Sequence, residues 1–415
     1  MPPMFEVAGQ VSRRRLVSRS PDAARLLADL TAWLATTYPD EARVADPAGA
    51  PPGAARIALH PAAREVVLEV ADDGRVSIRG ETAMVGPGYH RFLGRLVERL
   101  GFEFGIEWST EGLGADAFAD RASVERRYLE WLGPTLVETL RARRRGAISI
   151  HLGTPAGHRY VVDGALATVL GPRDDAWLEA AIADPRVALD LTPWWSDATD
   201  GRYLLSRALV LLWLDVRWRR PALPGEGEVL DEVHRLLGRA FAIGPTLDIP
   251  WHAWAEIVAL RGIDDVMAGQ VLERTSGRPA VPSPIDYRRQ PVTIDHAGWT
   301  LEIPGAFAER RGTDEWWGGG AGRGVTLGAT RTGTLTAEAF LAQVAGGLGS
   351  EALTHRDGEV VGRARITSDS SSGVEVGVLD GYSAVPGSGA AIRIVFDDPA
   401  DWRWAVDLWR SLRPD

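Results

Sequence analysis

The feature that most constrains this fold is a change of rhythm at a proline-rich break. Between Gly277 and Pro291 the chain carries Pro279, Pro282, Pro284 and Pro291, a composition that interrupts both helix and strand. Before the break, from Pro172 to Arg274, apolar residues recur at helical spacing; after it they alternate with period two. Trp299-Thr-Leu-Glu-Ile-Pro304 predicts a strand ended by its proline. Thr336 to Val344 predicts an amphipathic helix, and Val360–Ile366, Val374–Leu379 and Ala390–Phe396 predict three more strands. In the closing segment Asp398–Leu412, residues Trp402, Val406, Trp409 and Leu412 share one helical face, and Trp404 falls off it.

At 415 residues the chain exceeds one ordinary core. Near the N-terminus, Ser20-Pro-Asp predicts a helix start, followed by a stripe of Leu26, Leu27, Leu30, Trp33 and Leu34. Arg56–His60, Glu65–Val70 and Arg75–Arg79 read as strands, the last two joined at Asp72-Asp-Gly74; a helix over Tyr89–Leu100 and a strand over Glu103–Trp108 complete an α+β unit. A helix is expected over Ser123–Arg145, then a short strand pair from Ile148–Leu152 and Tyr160–Asp163. Leu204–Trp218 is apolar nearly all round, which marks a buried central helix. Glu228–Phe241 is amphipathic, with Val229, Val233, Leu237 and Phe241 facing inward. Ala240–Pro245 with Trp251–Leu260 resembles one tetratricopeptide helix–turn–helix; without a second copy it reads as an ordinary helical hairpin. The predicted class is α+β and multi-domain: an α+β domain at 1–117, a mainly helical domain at 118–276, a linker at 277–291 and an antiparallel sheet flanked by helices at 292–415.

On the pieces Gly298–Pro304, Thr336–Val344, Gly362–Thr367, Ala390–Phe396 and Trp402–Leu412, the last region resembles the PsbP-like α–β–α sandwich. The resemblance is confined to 292–415 and rests on pattern. It implies an antiparallel sheet with helices on its faces and a non-catalytic binding or assembly role, and it carries over no site residues.

The chain contains no Lys, no Asn and no Cys, so all 46 basic residues are arginines. A lysine Schiff base, a thiolate nucleophile, a disulfide and cysteine-ligated metal are therefore excluded. The joint absence of Lys and Asn, which A-rich codons encode, points to a GC-rich bacterial genome and not to a function. The formal charge of −10 argues against a nucleic-acid partner, whose phosphates need a basic face. The most apolar stretch, Ala208–Leu214, falls far short of the ~20 residues that span a bilayer, and Met1 is followed by no apolar leader. A cytoplasmic protein without membrane or nucleic-acid partner is expected.

No Gly-x-Ser-x-Gly or His-Glu-x-x-His occurs. His151 and His158 flank a Gly-Thr-Pro-Ala-Gly turn with Asp163 beyond, the residue types of a two-histidine, one-carboxylate metal site; strand-end histidines in surface or capping roles are the commoner use, and no metal or cofactor is expected. Gly86-Pro-Gly-Tyr-His90, near Arg91 and Arg95, would offer backbone N–H groups to an anion unless it is a plain strand-to-helix turn, the favoured reading. Arg13–Arg15 and Arg143–Arg145 read as solvated basic runs. Among sixteen tryptophans, Trp316-Trp317 precedes Gly318-Gly-Gly320 and reads as a loop. With Arg310 and Arg311 this pair is a candidate protein-binding surface, the alternative being that both indoles pack onto the sheet. The expected role is a non-catalytic accessory or adaptor component of a bacterial multi-protein system, conflict and defence systems included. The alternatives are an immunity protein for a basic toxin, and a hydrolase or metal-dependent enzyme whose site between the first two domains uses His90, His151, His158 and Asp163.

Overall fold

Alternating apolar residues in the first ~110 positions build a sheet wider than the sequence suggests. Strands β1 (Met4–Val11), β2 (Arg43–Val44), β3 (Ala54–Ala58), β4 (Val66–Val70), β5 (Arg75–Glu81) and β6 (Ile106–Trp108) form it in the order β2-β3-β4-β5-β1-β6. Helix α1 (Ala23–Thr37) starts at Asp22, whose side chain accepts from the N–H groups of Ala24 and Arg25; α2 (Pro87–Phe104) follows β5. Ser20, the expected cap, lies outside the described residues. The computed structural model describes residues 2–12, 22–39, 41–44, 53–109, 117–145, 151–152, 157–196, 198–278, 287–312, 314–349, 351–370 and 375–415.

The middle of the chain is helical: α3 (Arg121–Arg144), α4 (Asp175–Ala183), α5 (Gly201–Leu214), α6 (Glu226–Ile243), α7 (Trp251–Arg261) and α8 (Val266–Thr275). Short strands β7 (His151–Leu152), β8 (His158–Arg159), β9 (Ala165–Thr168) and β10 (Arg173–Asp174) interrupt it. Among the described residues, the strand pair expected between 148–152 and 160–163 is not seen. Instead β7 pairs in parallel with β9, and β8 pairs across the proline-rich break, His158 opposite Ile294 and Arg159 opposite Thr293.

Helix α5 explains why its sequence is apolar on every side. Ala208, Leu211 and Leu212 belong to a core shared with Phe5, Val7 and Ile78 of the N-terminal sheet, with Leu93 of α2, and with Val233, Leu237 and Trp254 of α6 and α7. Val210, Trp213 and Leu214, on the opposite side, belong to a second core with Trp299, Leu301, Leu379, Ile392 and Trp409. Residues on both sides of the expected 117/118 boundary thus share one interior, and α5 stands between two.

After the break, β11 (Val292–His296) and β12 (Trp299–Ile303) join β8 and β20 (Arg413–Pro414) in the order β20-β12-β11-β8. The larger sheet contains β13 (Ala308–Arg311), β14 (Glu315–Gly320), β15 (Arg323–Arg331), β16 (Leu353–Asp357), β17 (Val360–Asp369), β18 (Val376–Val385) and β19 (Ser388–Phe396). Among the described residues it is seven-stranded and antiparallel, in the order β13-β14-β15-β19-β18-β17-β16. Helices α9 (Ala337–Val344), capped by Thr336, and α10 (Trp402–Arg410) pack against it. A multi-domain α+β fold is what these elements make.

Trp316–Gly320, read as a loop, is strand β14. Its glycines are there to make room. A Cβ on Gly318 would stand 2.3 Å from Trp316 Cη2, and one on Gly319 would stand 2.9 Å from Trp317 Cζ2. Each indole lies along the strand over the glycine two positions on, so the Trp-Trp-Gly-Gly run is a strand with its side chains folded flat.

Candidate functional site

The period of a strand sends Trp316 and Trp317 to opposite faces, and each face builds its own site. On the inner face, Trp316 is 0% exposed and its Nε1–H donates to Glu309 Oε2 at 3.1 Å. His158 Nε2 lies 2.8 Å from the same oxygen. On the other oxygen, Arg288 Nη1 makes an ion-pair contact of 2.7 Å and Arg217 Nη2 one of 3.5 Å. Arg288 is 1% exposed, and the side chain of Glu309 is 9% exposed.

These groups fix one another's charge. Burial opposes ionisation of Glu309, but the hydrogen bond from His158 and the two guanidinium groups outweigh it and hold the carboxyl well below the usual carboxylate range. Burial pushes the His158 imidazole down, so it sits neutral with Nε2–H toward Glu309. Burial also pushes up the Asp215 carboxyl, beside Arg217 and Arg288, and the Tyr160 hydroxyl. The knot gathers side chains from β8, the end of α5, the turn before β11, β13 and β14, so it ties the second core together. Short sequence windows gave no sign of it.

Of the residues proposed as metal ligands, His158 therefore serves Glu309, and Asp163 is exposed and outside the knot. The side chain of His151 lies outside the described residues. Among the described residues, no group of three His, Cys, Asp or Glu side chains is placed to hold a metal ion. His90 is buried in the N-terminal core, with Nδ1 3.2 Å from Thr82 Oγ1.

The turn at Gly86–His90 is closed to an anion. The Gly88 N–H donates to Trp194 O, and a Cβ on Gly88 would come 2.1 Å from Ser196 O, so residues 194–196 occupy the space an anion would need. Arg143 and Arg144 are spent on Asp175 and Glu179 of α4. Arg13–Arg15 lie outside the described residues.

On the outer face of the large sheet, the registers line up one residue from each of six strands. Arg310 faces Trp317, Trp317 faces Thr326, Thr326 faces Arg393, Arg393 faces Asp380 and Asp380 faces Arg365. The Arg310 guanidinium lies 5.7 Å from the Trp317 ring centroid, a cation–π distance. Arg393 and Asp380 pair loosely at 3.9 Å, with the Arg393 side chain 55% exposed. Trp317 is half-buried. Among the described residues, α9 covers only the far end of this face, where Phe340 packs over Gly389 with Val361 and Ala384.

Two of the four residues read as a partner surface, Arg310 and Trp317, thus meet on the open face. Trp316 is buried in the knot. Arg311 points with it to the inner side, its Nη2 donating to Gly157 O at 3.2 Å. Thr326, Asp380, Arg393 and Arg365 escaped sequence reasoning because only strand register makes them neighbours.

No family model matches the chain, and no curated protein matches it either. Among solved structures, a protein of Bacteroides thetaiotaomicron aligns at 9% identity and a TM-score of 0.26, covering 29% of this chain and 46% of that one, a likeness too low to bear on fold or activity. Among the described residues, no helix is long and apolar enough to cross a membrane.

Proposed function

We propose that the protein is a non-catalytic, protein-binding accessory component of a bacterial multi-protein system, with the outer face of its C-terminal sheet as contact surface. The cross-strand row Arg310–Trp317–Thr326–Arg393–Asp380–Arg365 carries this reading. Tryptophan and arginine are the residues that dominate binding energy at protein interfaces, and here they sit together on a sheet face that α9 leaves uncovered. The PsbP-like resemblance, with its binding and assembly roles, points the same way. Against an enzyme, the His158–Glu309 pair is answered by Arg288, Arg217 and Trp316, partners that hold its charge in place. Against an immunity protein using this face on a basic toxin, the row holds three arginines and one aspartate.

Capture from native lysate by the tagged full-length protein and by Trp317→Ala/Arg393→Glu tests the proposal. A stoichiometric partner that is lost with the variant, at an unchanged melting temperature, is the expected result. Equal retention would move the contact elsewhere, and no partner at all would end the reading. Point variants are preferable to deleting the C-terminal region, which would uncover Val210, Trp213 and Leu214 on α5.

A further inference from the structure

The glycines of the large sheet mostly have an internal reason. A Cβ on Gly389 would meet Phe340 at 2.4 Å; on Gly362 and Gly381 it would meet Trp409 at 2.9 and 2.8 Å; on Gly377 it would meet Phe396 at 2.1 Å. Gly318 and Gly319 yield to the two indoles. Gly324 and Gly328 do not fit this pattern. Among the described residues a Cβ on Gly324 would meet nothing within 4 Å, and one on Gly328 would meet only Asp314 O, at an ordinary 3.7 Å. Neither has a positive φ. Strand β15 also contains no bulge, since its pairing is continuous with β14 and with β19. Interior glycine weakens a strand, and without a bend or bulge to explain it, it marks where another backbone or ligand comes close.

Both glycines lie on the open face, one on either side of Thr326, with Trp317 on the neighbouring strand to one side and Arg393 on the other. They leave a bare strip of backbone whose own hydrogen bonds are already taken by β14 and β19. A chain lying there must therefore contact the strip by shape and side chains, not by adding a strand.

We infer that this strip receives an extended acidic segment of a partner protein, its carboxylates meeting Arg310, Arg393 and Arg365 and an apolar side chain resting on Trp317. The inference rests on the protein-binding reading above. Charge selects the occupant. The row sets three guanidinium groups against the single carboxylate of Asp380, whereas the chain as a whole carries −10. A nucleic acid would bring evenly spaced phosphates against Asp380 within the row and Glu315 at its margin. A peptide can place its carboxylates only where arginines stand.

Fluorescence anisotropy with full-length protein tests this with three probes: a labelled alternating Glu-Tyr decapeptide, its Gln-Tyr counterpart and an oligo-dT. The Glu-Tyr peptide is expected to bind, to weaken as salt rises, and to bind about tenfold or more weakly to Gly324→Val/Gly328→Val. That variant is expected to keep or raise the melting temperature, because valine favours a strand and a Cβ at either position meets nothing closer than 3.7 Å. Arg365→Glu/Arg393→Glu is expected to abolish binding. Equal binding of the Gln-Tyr peptide, tighter binding of oligo-dT, no binding of either peptide, wild-type affinity in the glycine variant or a clear fall in its melting temperature would each overturn the inference. If lysate capture still yields a partner that depends on Trp317 and Arg393, only the acidic chemistry falls. If capture yields none, the protein-binding reading falls with it.

Discussion

Trp316 and Trp317 are adjacent in the chain, yet they belong to two different kinds of surface. The inner indole is sealed into a knot where one carboxylate, Glu309, serves two arginines, a histidine and the indole itself. The outer indole lies beside Arg310 in a row that reaches solvent. Both faces use tryptophan, arginine and a carboxylate. What separates them is enclosure: in the knot the charges of Glu309, Arg288 and Arg217 are largely desolvated and answered by fixed partners, so the arrangement holds the fold. On the outer face water answers the charges, the Arg393–Asp380 pair is loose, and the arginines stay available.

Breaking the inner face is predicted to have the largest effect. Glu309→Ala leaves Arg288 and Arg217 buried without their carboxylate and should cost about 3–5 kcal/mol, read as a large drop in denaturation midpoint. Trp316→Ala should cost about as much, roughly 3–5 kcal/mol, through the lost core contact and the void left behind.

A pH dependence of intermediate size sharpens the contrast. The folded state holds His158 below its ordinary pKa, so the unfolded chain binds the proton first. Stability from this group is complete above about pH 6.5 and is lost as pH falls from there toward the lowered value. His60, buried among Tyr89, Trp194 and Tyr203 with its pKa also lowered, acts with the same sign. His158→Gln should therefore reduce the slope of melting temperature against pH below about pH 6.5 without removing it. The carboxyl of Glu309, held low, adds a further loss as pH drops below about 4.3.

The outer face should be nearly silent in stability. Trp317→Ala should cost roughly 1 kcal/mol, since the ring is only half-buried. Arg393→Ala should stay within about 0.5 kcal/mol, because its pair with Asp380 is exposed and long. A Trp317→Ala loss as large as that of Trp316→Ala would erase the distinction between the faces.

The sequence made the amphipathic and capped elements legible. Thr336 announced α9, the all-round apolar run announced α5, and alternation announced β12, β17 and β19. It misread β14 because glycine is a loop signal locally, whereas here glycine accommodates an indole two residues earlier. The knot stayed hidden because His158, Arg217, Arg288 and Glu309 come from four distant segments. The outer row stayed hidden for a different reason: Arg393, Asp380 and Arg365 each read as an ordinary solvent-facing residue, and only the pairing of β17, β18 and β19 sets them side by side.

Hydroxyl-radical footprinting across Trp316 and Trp317, on the full-length protein free and in its lysate-captured complex, tests the two-faced account most directly. The account predicts that Trp317 is oxidised in the free protein and protected in the complex, while Trp316 is unreactive in both. Reactivity of Trp316 in the free protein, or equal reactivity of Trp317 in the two states, would contradict it.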